Sequence, residues 1–312
     1  MPLRNELRLS GETMGTCWSL CAALVPGVNA DHVEDRLHTA LASIIAQMSQ
    51  WEPASQLSLF NAAAQGTRLA IGPQFVTVLQ CALAIGEASD GAFNPALGRQ
   101  AAFWGFGPTP LPAHDPAFAP ASAPPVTAMS EYGWAAHVQQ GAIMQTGGVM
   151  LDLSGIAKGF AVDHVLALLQ EIGVRDAFCE IGGEAKGIGQ RSDGLPWWVD
   201  LEVPPGSAAA AARIGLSGWA VATTGNYLRR QSRGASSWSH TLDPATGCPV
   251  DDGMIAVSVL HPGCMQADAL ATAIMVMGAR RGMDFATRCG IPARIVTSNK
   301  VLLSPAWQQW LN

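Results

Sequence analysis

The chain reads LDLSGIAKGFAVDHV from Leu151 to Val165, and the rest of the sequence can be organised around this stretch. It follows from the apolar run Val149–Leu151, which is typical of the end of a buried strand. Beyond Ser154-Gly155, apolar residues such as Ile156 and Phe160 fall near helical spacing. We therefore predict a strand that turns through two small residues into a helix.

A strand-to-helix corner of this kind has two interpretations. The first backbone N–H groups of the helix point at one spot, which suits a phosphate or another anion, and Asp152 and Lys158 bracket the turn. Alternatively, it is an ordinary corner in which glycine allows tight packing. The stretch alone leaves both interpretations open.

Length and composition limit the class of protein. The chain has 312 residues, enough for one large domain or two ordinary ones. Hydrophobic residues make up 49% and charged residues 13%, which indicates a compact globular protein poor in surface charge. The formal net charge of -6 gives no reason to expect a nucleic-acid partner.

The cysteines and the N-terminus bear on the compartment. The seven cysteines are scattered without a C-x-x-C pair, which argues against a disulfide scaffold or a zinc cage and fits a reducing compartment. The first eight residues are partly charged and lack an apolar leader, which predicts a cytoplasmic location. A periplasmic location would follow if a leader had been removed. No run of residues reaches transmembrane length.

The remaining patterns predict strands in hairpins as well as strands between helices. Leu7–Val25 alternates like a hairpin, Trp51–Asn61 is rich in turn residues, and helices are expected over Met265–Met277 and Ala279–Cys289. Residues 108–126 are rich in proline and alanine, which predicts a surface loop. The fold class expected is α+β, with mixed or antiparallel sheets flanked by helices.

A possible metal site opens the first of those two helices. Asp268 and Thr272 are four residues apart, so their oxygens lie on one helix face. Carboxylate and hydroxyl oxygens suit Mg²⁺ or Ca²⁺ rather than zinc or copper. The alternative is an acid favoured by the helix dipole and a buried threonine bonded to its own helix.

A second polar group lies in the turn Ser239–Gly247. His240 and Asp243 could form an acid/base pair, because histidine titrates near neutral pH. The alternative is a capping aspartate beside a strand histidine. Backbone could also approach a ligand at Gly182-Gly183-Glu184 and at Thr223–Tyr227.

Taken together, and in this order along the chain, the motifs resemble the ApbE family of flavin transferases. They are Met14–Thr16, Trp51–Asn61, Gly91–Pro95, Asp152–Asp163, Glu180–Glu184, Pro196-Trp197, Thr224–Tyr227, Ser239–Gly247 and Ala267–Thr272. The resemblance covers nearly the whole chain, and its specificity comes from the order of the motifs rather than from any one of them.

The resemblance implies a single module over residues 1–312, with a ligand cleft between two lobes. It also implies Mg²⁺-dependent transfer of FMN from FAD to a Ser or Thr hydroxyl of an acceptor protein, with release of AMP. The acceptor motif would be Ser/Thr-Gly-Ala-Thr-like, in a subunit of a membrane redox complex or in a respiratory regulator.

The resemblance also implies roles for individual residues. His240 would act in catalysis, with Asp243 as the second candidate base. The metal would be held by Asp268, Thr272 and a main-chain oxygen near Gly155. The flavin and adenine contacts implied are Met14, Trp51, Ala92, Phe93, Asn94, Asp152, Lys158 and Leu242.

Two departures from the family pattern leave other activities open. Asn94 stands where the family often has Asp, and Ser154 stands where Gly is common.

The motifs fit an FAD pyrophosphatase that yields FMN and AMP equally well, because water could replace the acceptor hydroxyl. A protein that binds FAD without turnover is a further alternative, although Asp268, Thr272 and His240 argue against it. Nothing in the sequence resembles a nicotinamide site, which disfavours a flavin oxidoreductase.

Overall fold

The computed structural model describes residues 5–108, 124–126, 133–207, 209–233, 236–250 and 253–311. The helices are α1 (Ala30–Met48), α2 (Gln56–Ala62), α3 (Pro73–Ala88), α4 (Gly98–Phe103), α5 (Ala157–Glu171), α6 (Cys264–Arg288) and α7 (Pro305–Gln308). The strands are β1 (Asn5–Thr13), β2 (Thr16–Leu24), β3 (Arg68–Ala70), β4 (Ala142–Met144), β5 (Ala177–Ile181), β6 (Glu184–Ile188), β7 (Trp197–Leu201), β8 (Ala212–Leu216), β9 (Trp219–Gly225), β10 (Arg230–Arg233), β11 (Ser236–Ser239), β12 (Leu242–Asp243), β13 (Cys248–Pro249), β14 (Met254–His261), β15 (Ala293–Thr297) and β16 (Val301–Leu303).

One large sheet organises the molecule. Eight strands pair in the order β1-β2-β5-β6-β9-β14-β15-β16, and every neighbouring pair is antiparallel. Helices lie between several of these strands along the chain, so the predicted α+β class with antiparallel sheets is confirmed. The predicted hairpin over Leu7–Val25 is confirmed as β1 and β2.

Both faces of this sheet are covered. In β2, Trp18 and Leu20 point into the main core with helices α1, α5 and α6, because alternate residues of a strand face the same side. The opposite face carries a second core, in which Trp197 of the β7–β8 hairpin packs with Trp307 of α7. The helical face positions the candidate site, since α5 and α6 both contribute to it.

The strand expected over Val149–Leu151 is wrong. These residues pair with no strand in the part of the chain that the structure describes, although Leu151 is fully buried. Instead, the side-chain amide of Asn61 donates to the Leu151 carbonyl oxygen at 2.9 Å, and its oxygen accepts from the Leu151 N–H at 2.7 Å. One side chain thus satisfies the backbone that a strand partner would have satisfied.

The turn-rich stretch Trp51–Asn61 contains most of helix α2, which the sequence pattern did not predict. Ser55 begins this helix as its N-cap, because its hydroxyl oxygen accepts from the N–H of Ser58 at 3.0 Å.

The two helices expected over 265–277 and 279–289 are confirmed as one α6 element with a break. At the break, Gly278 has φ 78° and ψ 167°, outside the helical region.

The proline- and alanine-rich loop is described only at its ends. Residues 109–123 lie outside the described residues, so the loop prediction remains a prediction for most of its length. The carbonyl oxygens of Pro124 and Pro125 accept from the side-chain amide of Gln100 at 3.2 and 2.8 Å. Among the described helices, none is long and apolar enough to span a membrane.

Helices α5 and α6 pack closely against each other at Gly159. A Cβ at this position would lie 2.4 Å from the Cys264 carbonyl oxygen and 2.9 Å from the Asp268 Cβ. The first of these atoms is backbone, so it cannot move aside without shifting a whole helix.

We expect Gly159→Ala to lower the free energy of unfolding by about 1–3 kcal/mol, as overpacked cores do. Helix propensity alone would instead favour Ala by about 1 kcal/mol. The measurement is chemical denaturation, with Gly253→Ala as control because its Cβ would meet nothing within 4 Å. A Gly159→Ala protein at least as stable as the parent would contradict the close contact.

Candidate functional site

The candidate site is a cleft where four segments meet. They are the β1–β2 turn with Met14, the end of α1 with Trp51 just beyond it, the corner before α5 with Asp152 and Lys158, and the segment carrying Arg229. The cavity between them is about 80 Å³, below the roughly 300–1,000 Å³ of most ligand pockets. It therefore holds one part of a ligand, and the remainder would lie along the open cleft.

Met14 has an unusual backbone conformation. Its φ is 50° and that of Gly15 is 71°, so the hairpin turns through two left-handed residues. A left-handed residue other than glycine is uncommon, and such strain tends to persist at functional sites. Trp51 is 61% exposed at the cleft, which leaves the indole face open to a planar ligand.

The loop after α3 is joined to the corner before α5. The Asp152 N–H donates to the Pro95 carbonyl oxygen at 2.8 Å. Ala92, Phe93 and Asn94 are buried, and the Asn94 side-chain oxygen accepts from the Ala96 N–H at 2.8 Å. This part of the Asn94 side chain holds its own turn, which is a role that an aspartate oxygen could also fill.

The corner itself turns sharply before the helix begins. The Asp152 carboxylate accepts from the Ser154 N–H at 2.8 Å, and α5 starts at Ala157 without a side-chain cap. In the first turn of α5, however, the Ala157 N–H donates to the Leu153 carbonyl oxygen at 2.9 Å and the Gly159 N–H donates to the Asp268 carboxylate at 3.1 Å. Because these two N–H groups are already engaged, an anion site made by the first N–H groups of the helix stays a prediction. The predicted turn through Ser154-Gly155 into a helix is confirmed, although no strand precedes it.

A buried charged cluster lies behind the corner. Lys158 donates to the carboxylate of Glu184, which is 3% exposed, and Asp268 is equally buried. Burial raises the pKa of Glu184 to about 8 despite the neighbouring Lys158, and burial also raises the pKa of Asp268. Burial opposes the charge of Lys158, but Glu184 and then Asp268 hold its pKa above the ordinary value.

This cluster is short of positive charge. Two carboxylates face one ammonium group, and the raised pKa of each carboxyl shows that its negative charge is poorly compensated. A cation at Asp268 would supply the missing charge.

Thr272 lies against the glycine of the corner, and Asp268 lies against Gly159 in the first turn of α5. A Cβ on Gly155 would lie 3.0 Å from the Thr272 hydroxyl oxygen, which in turn lies 3.2 Å from the Thr224 hydroxyl. The Asp268 carboxylate accepts from the Gly159 N–H at 3.1 Å, and among the described residues no hydrogen bond engages its other oxygen. The donors are all hard oxygens, so they fit a divalent cation such as Mg²⁺. Among the described residues, no cluster of three His, Cys, Asp or Glu offers a metal site of another kind.

His240 has a defined orientation. Its backbone N–H donates to the Arg229 carbonyl oxygen at 3.2 Å, and its Nδ1 lies 3.3 Å from the same oxygen. A carbonyl can only accept, so Nδ1 carries the proton, and among the described residues no hydrogen bond engages the Nε2 lone pair. Burial lowers the pKa of His240, which keeps the ring neutral near pH 7. The charges of Asp152 and Lys158 also act on this ring, which puts it near the cleft.

The other two candidate residues of this turn are Asp243 and Leu242. The Asp243 carboxylate accepts from the Ala245 N–H at 2.8 Å, and no hydrogen bond or ion pair among the described residues joins it to His240. Leu242 is buried in a small cluster with Trp104 and Ala101, and it does not line the 80 Å³ cavity. The acid/base pair of His240 and Asp243 therefore stays a prediction from the sequence.

Two residues of the site were missed from the sequence. Glu184 was noted only as part of a glycine-rich turn, and Arg229 was not noted at all. The scarcity of lysine was a signal that could have pointed to Glu184, because the chain has three lysines. Two of them, Lys158 and Lys186, form ion pairs that bridge α5 and β6 through buried or half-buried carboxylates. Nothing local distinguished Arg229 from its neighbours.

Comparison with solved structures defines the class of protein. The structure of the flavin transferase ApbE from Vibrio cholerae superposes with a TM-score of 0.82 at 29% identity, covering 98% of this chain and 99% of that one. The apo flavinyl transferase ApbE from Pseudomonas stutzeri superposes with a TM-score of 0.87 at 28% identity, covering 98% and 97%. The fold is that of a flavin transferase.

Sequence comparison then identifies the family. The ApbE family matches residues 14–295, and the chain belongs to it. The FAD:protein FMN transferase of Vibrio cholerae is 32% identical over 295 residues, or 94% of this chain and 87% of that relative. The relative of the same name from Escherichia coli is 27% identical over 318 residues, or 97% and 88%. The chain is accordingly a member of a transferase family, and the resemblance noted from the motifs is confirmed.

Proposed function

We propose that this protein transfers FMN from FAD to a Ser or Thr hydroxyl of an acceptor protein and releases AMP, with Mg²⁺ as the required cation. The observation that carries this proposal is the neutral His240, whose free Nε2 lies near a corner backed by buried oxygen donors. A carrier of FAD would need neither group. The names of the curated relatives support the flavin-transfer reaction.

Asp268, Thr272 and the main chain near Gly155 would hold the metal ion. When bound, Mg²⁺ neutralises charge on the pyrophosphate oxygens, which is the main requirement in phosphoryl transfer. Lys158 and Asp152 would flank the phosphates at the corner before α5. Because Glu184 fixes Lys158, this ammonium stays in one position without a bound substrate.

The flavin and adenine would be held by the apolar parts of the cleft. Trp51 offers an exposed ring surface, and Met14 lines the cavity from the hairpin. Ala92, Phe93 and Asn94 are buried and do not line the 80 Å³ cavity, so they would shape the loop beneath it. Leu242 would act from the far side of the cleft, through the small cluster around Trp104.

The residues can perform the transfer step as follows. The Nε2 of His240 takes the proton from the acceptor hydroxyl, whose oxygen attacks the phosphorus of the FMN moiety. The bond from that phosphorus to the bridging oxygen breaks, and AMP leaves with the electron pair. Asp243 is the second candidate base, but its carboxylate is bonded to its own turn and would have to leave it.

The proposal is tested by measuring both products of FAD cleavage. Purified protein is incubated with FAD, Mg²⁺ and an acceptor domain carrying a Ser/Thr-Gly-Ala-Thr-like motif, and free FMN and AMP are quantified by chromatography. Transfer releases AMP without free FMN, because the FMN stays on the acceptor. Equal amounts of free FMN and AMP, with or without acceptor, would show a pyrophosphatase instead.

The acid limb of the pH profile should lie below pH 6.5. The base must be unprotonated, and burial lowers the pKa of His240 below its ordinary 6.5, so activity persists to lower pH than a solvent-exposed histidine would allow. The measurement is kcat/KM for FAD across the pH range at saturating Mg²⁺. An inflection above pH 6.5 would contradict the role of a buried neutral His240.

A further inference from the structure

Arg229 is a cation of the cleft whose side chain has no hydrogen-bond or ion-pair partner among the described residues. It lines the cavity together with Asp152 and Lys158, and its side chain is exposed. No hydrogen bond or ion pair engages its guanidinium group among the described residues. The neighbouring Arg230 differs, because its guanidinium donates to the Ser237 hydroxyl at 3.1 Å and to the Asn226 carbonyl oxygen at 3.2 Å.

The main chain of Arg229 is held by hydrogen bonds, although its guanidinium group makes none among the described residues. Its carbonyl oxygen accepts from both the backbone N–H and Nδ1 of His240. The same residue therefore orients the proposed base with its main chain and presents a positive charge beside it. That charge acts on both His240 and Lys158, so the guanidinium lies near both groups.

The positive charge of Lys158 is already shared before any ligand binds. Its ammonium donates to Glu184 and also faces Asp268, so a ligand would compete with two carboxyl groups for it. Of the described residues lining the cavity, Lys158 and Arg229 are the cationic ones. An anionic ligand in this cleft would thus find its uncompensated protein cation at Arg229.

We infer that Arg229 is a substrate-binding residue whose guanidinium contacts the pyrophosphate of FAD. This inference rests on the proposed function. Guanidinium binds phosphate through two parallel N–H donors, and it remains charged throughout. A guanidinium held against the pyrophosphate would stabilise the negative charge that its oxygens carry during the transfer step.

The first test is FAD binding by fluorescence titration of the full chain in Mg²⁺, which needs no turnover. We expect Arg229→Gln to raise the Kd about 10- to 100-fold, because a charged hydrogen bond is lost. The Kd of Arg229→Lys should lie between that of the parent and that of Arg229→Gln. Arg213→Gln is the matched control, because it removes the same charge from an exposed pair with Asp200 outside the cleft. An unchanged Kd in Arg229→Gln, or an equal change in Arg213→Gln, would overturn the inference.

The second test identifies the contacted group by competition with FAD. We expect ADP, which carries a pyrophosphate, to compete less well in Arg229→Gln than in the parent, whereas adenosine, which carries no phosphate, should compete equally in both. An equal loss for ADP and adenosine would overturn the contact with the pyrophosphate. If the Kd for FAD changes as expected but no FMN is transferred to any acceptor, the proposed function fails and the role of Arg229 in binding stands.

Discussion

Asp268→Ala should abolish FAD turnover in Mg²⁺ while leaving the protein folded. Mutating an outer-shell partner of a metal ligand costs about 10- to 100-fold, so loss of a direct ligand should cost at least about 100-fold. Asp268 is 3% exposed and provides the one carboxylate of the proposed ligand set. No other described residue of the set could take its place, because Thr272 and Gly155 offer only neutral oxygens.

The same substitution has a second readout in stability. Burial raises the pKa of Asp268, so its folded-state pKa lies above the unfolded value and its charge disfavours folding near pH 7 without a cation. Asp268→Asn should therefore be at least as stable as the parent without divalent ions. Added Mg²⁺ should raise the melting temperature of the parent and leave that of Asp268→Asn unchanged.

Asp163→Asn is the matched control for this prediction. Asp163 also joins α5 to α6, since its carboxylate accepts from the Met265 N–H at 2.9 Å and pairs with Lys186 at 2.7 Å. Its loss should lower stability at every Mg²⁺ concentration without changing the concentration of Mg²⁺ that gives half-maximal rate. Undiminished turnover in Asp268→Ala would reject the metal assignment.

His240→Ala should lower the rate of FMN transfer by about 10²- to 10⁴-fold, the range that a general base contributes. The affinity for FAD should change little, because the ring contributes a proton acceptor rather than a ligand contact. Single-turnover measurements with acceptor separate the two effects, since they report the chemical step after FAD is bound.

His240→Asn distinguishes a chemical role from a structural one. The asparagine amide can still donate to the Arg229 carbonyl oxygen but has no group equivalent to Nε2. It should therefore be as inactive as His240→Ala and fold as well as the parent. An active His240→Asn would show that the histidine only holds the turn, and Asp243 would then be the base to test.

The fold was predictable to the extent that its signals are local. Alternation along Leu7–Val25 gave the β1–β2 hairpin, and glycine at 278 gave the break in α6. The prediction of a strand over Val149–Leu151 was wrong because an apolar, buried segment does not reveal which group its backbone bonds to. That partner is Asn61, about 90 residues away in sequence, and only the folded chain brings it there.

The candidate site was predictable in its motifs but not in its electrostatics. Asp268 and Thr272 could be placed on one helix face from their spacing, and their contacts with Gly159 and Gly155 follow from how α6 packs on α5 and the corner before it. Glu184 and Arg229 could not be assigned in this way. Their roles depend on which charges already neutralise Lys158, and those contacts cross three segments of the chain.

The most direct test of flavin transfer is the intact mass of the acceptor. Protein, FAD and Mg²⁺ are incubated with an acceptor domain and with its variant in which the motif threonine is replaced by alanine, and both domains are weighed by mass spectrometry. The prediction is a gain of one FMN phosphoester on the threonine domain alone, with one AMP released for each ester formed. FAD cleaved to FMN and AMP while both domains keep their original mass, across several acceptor motifs, would contradict flavin transfer.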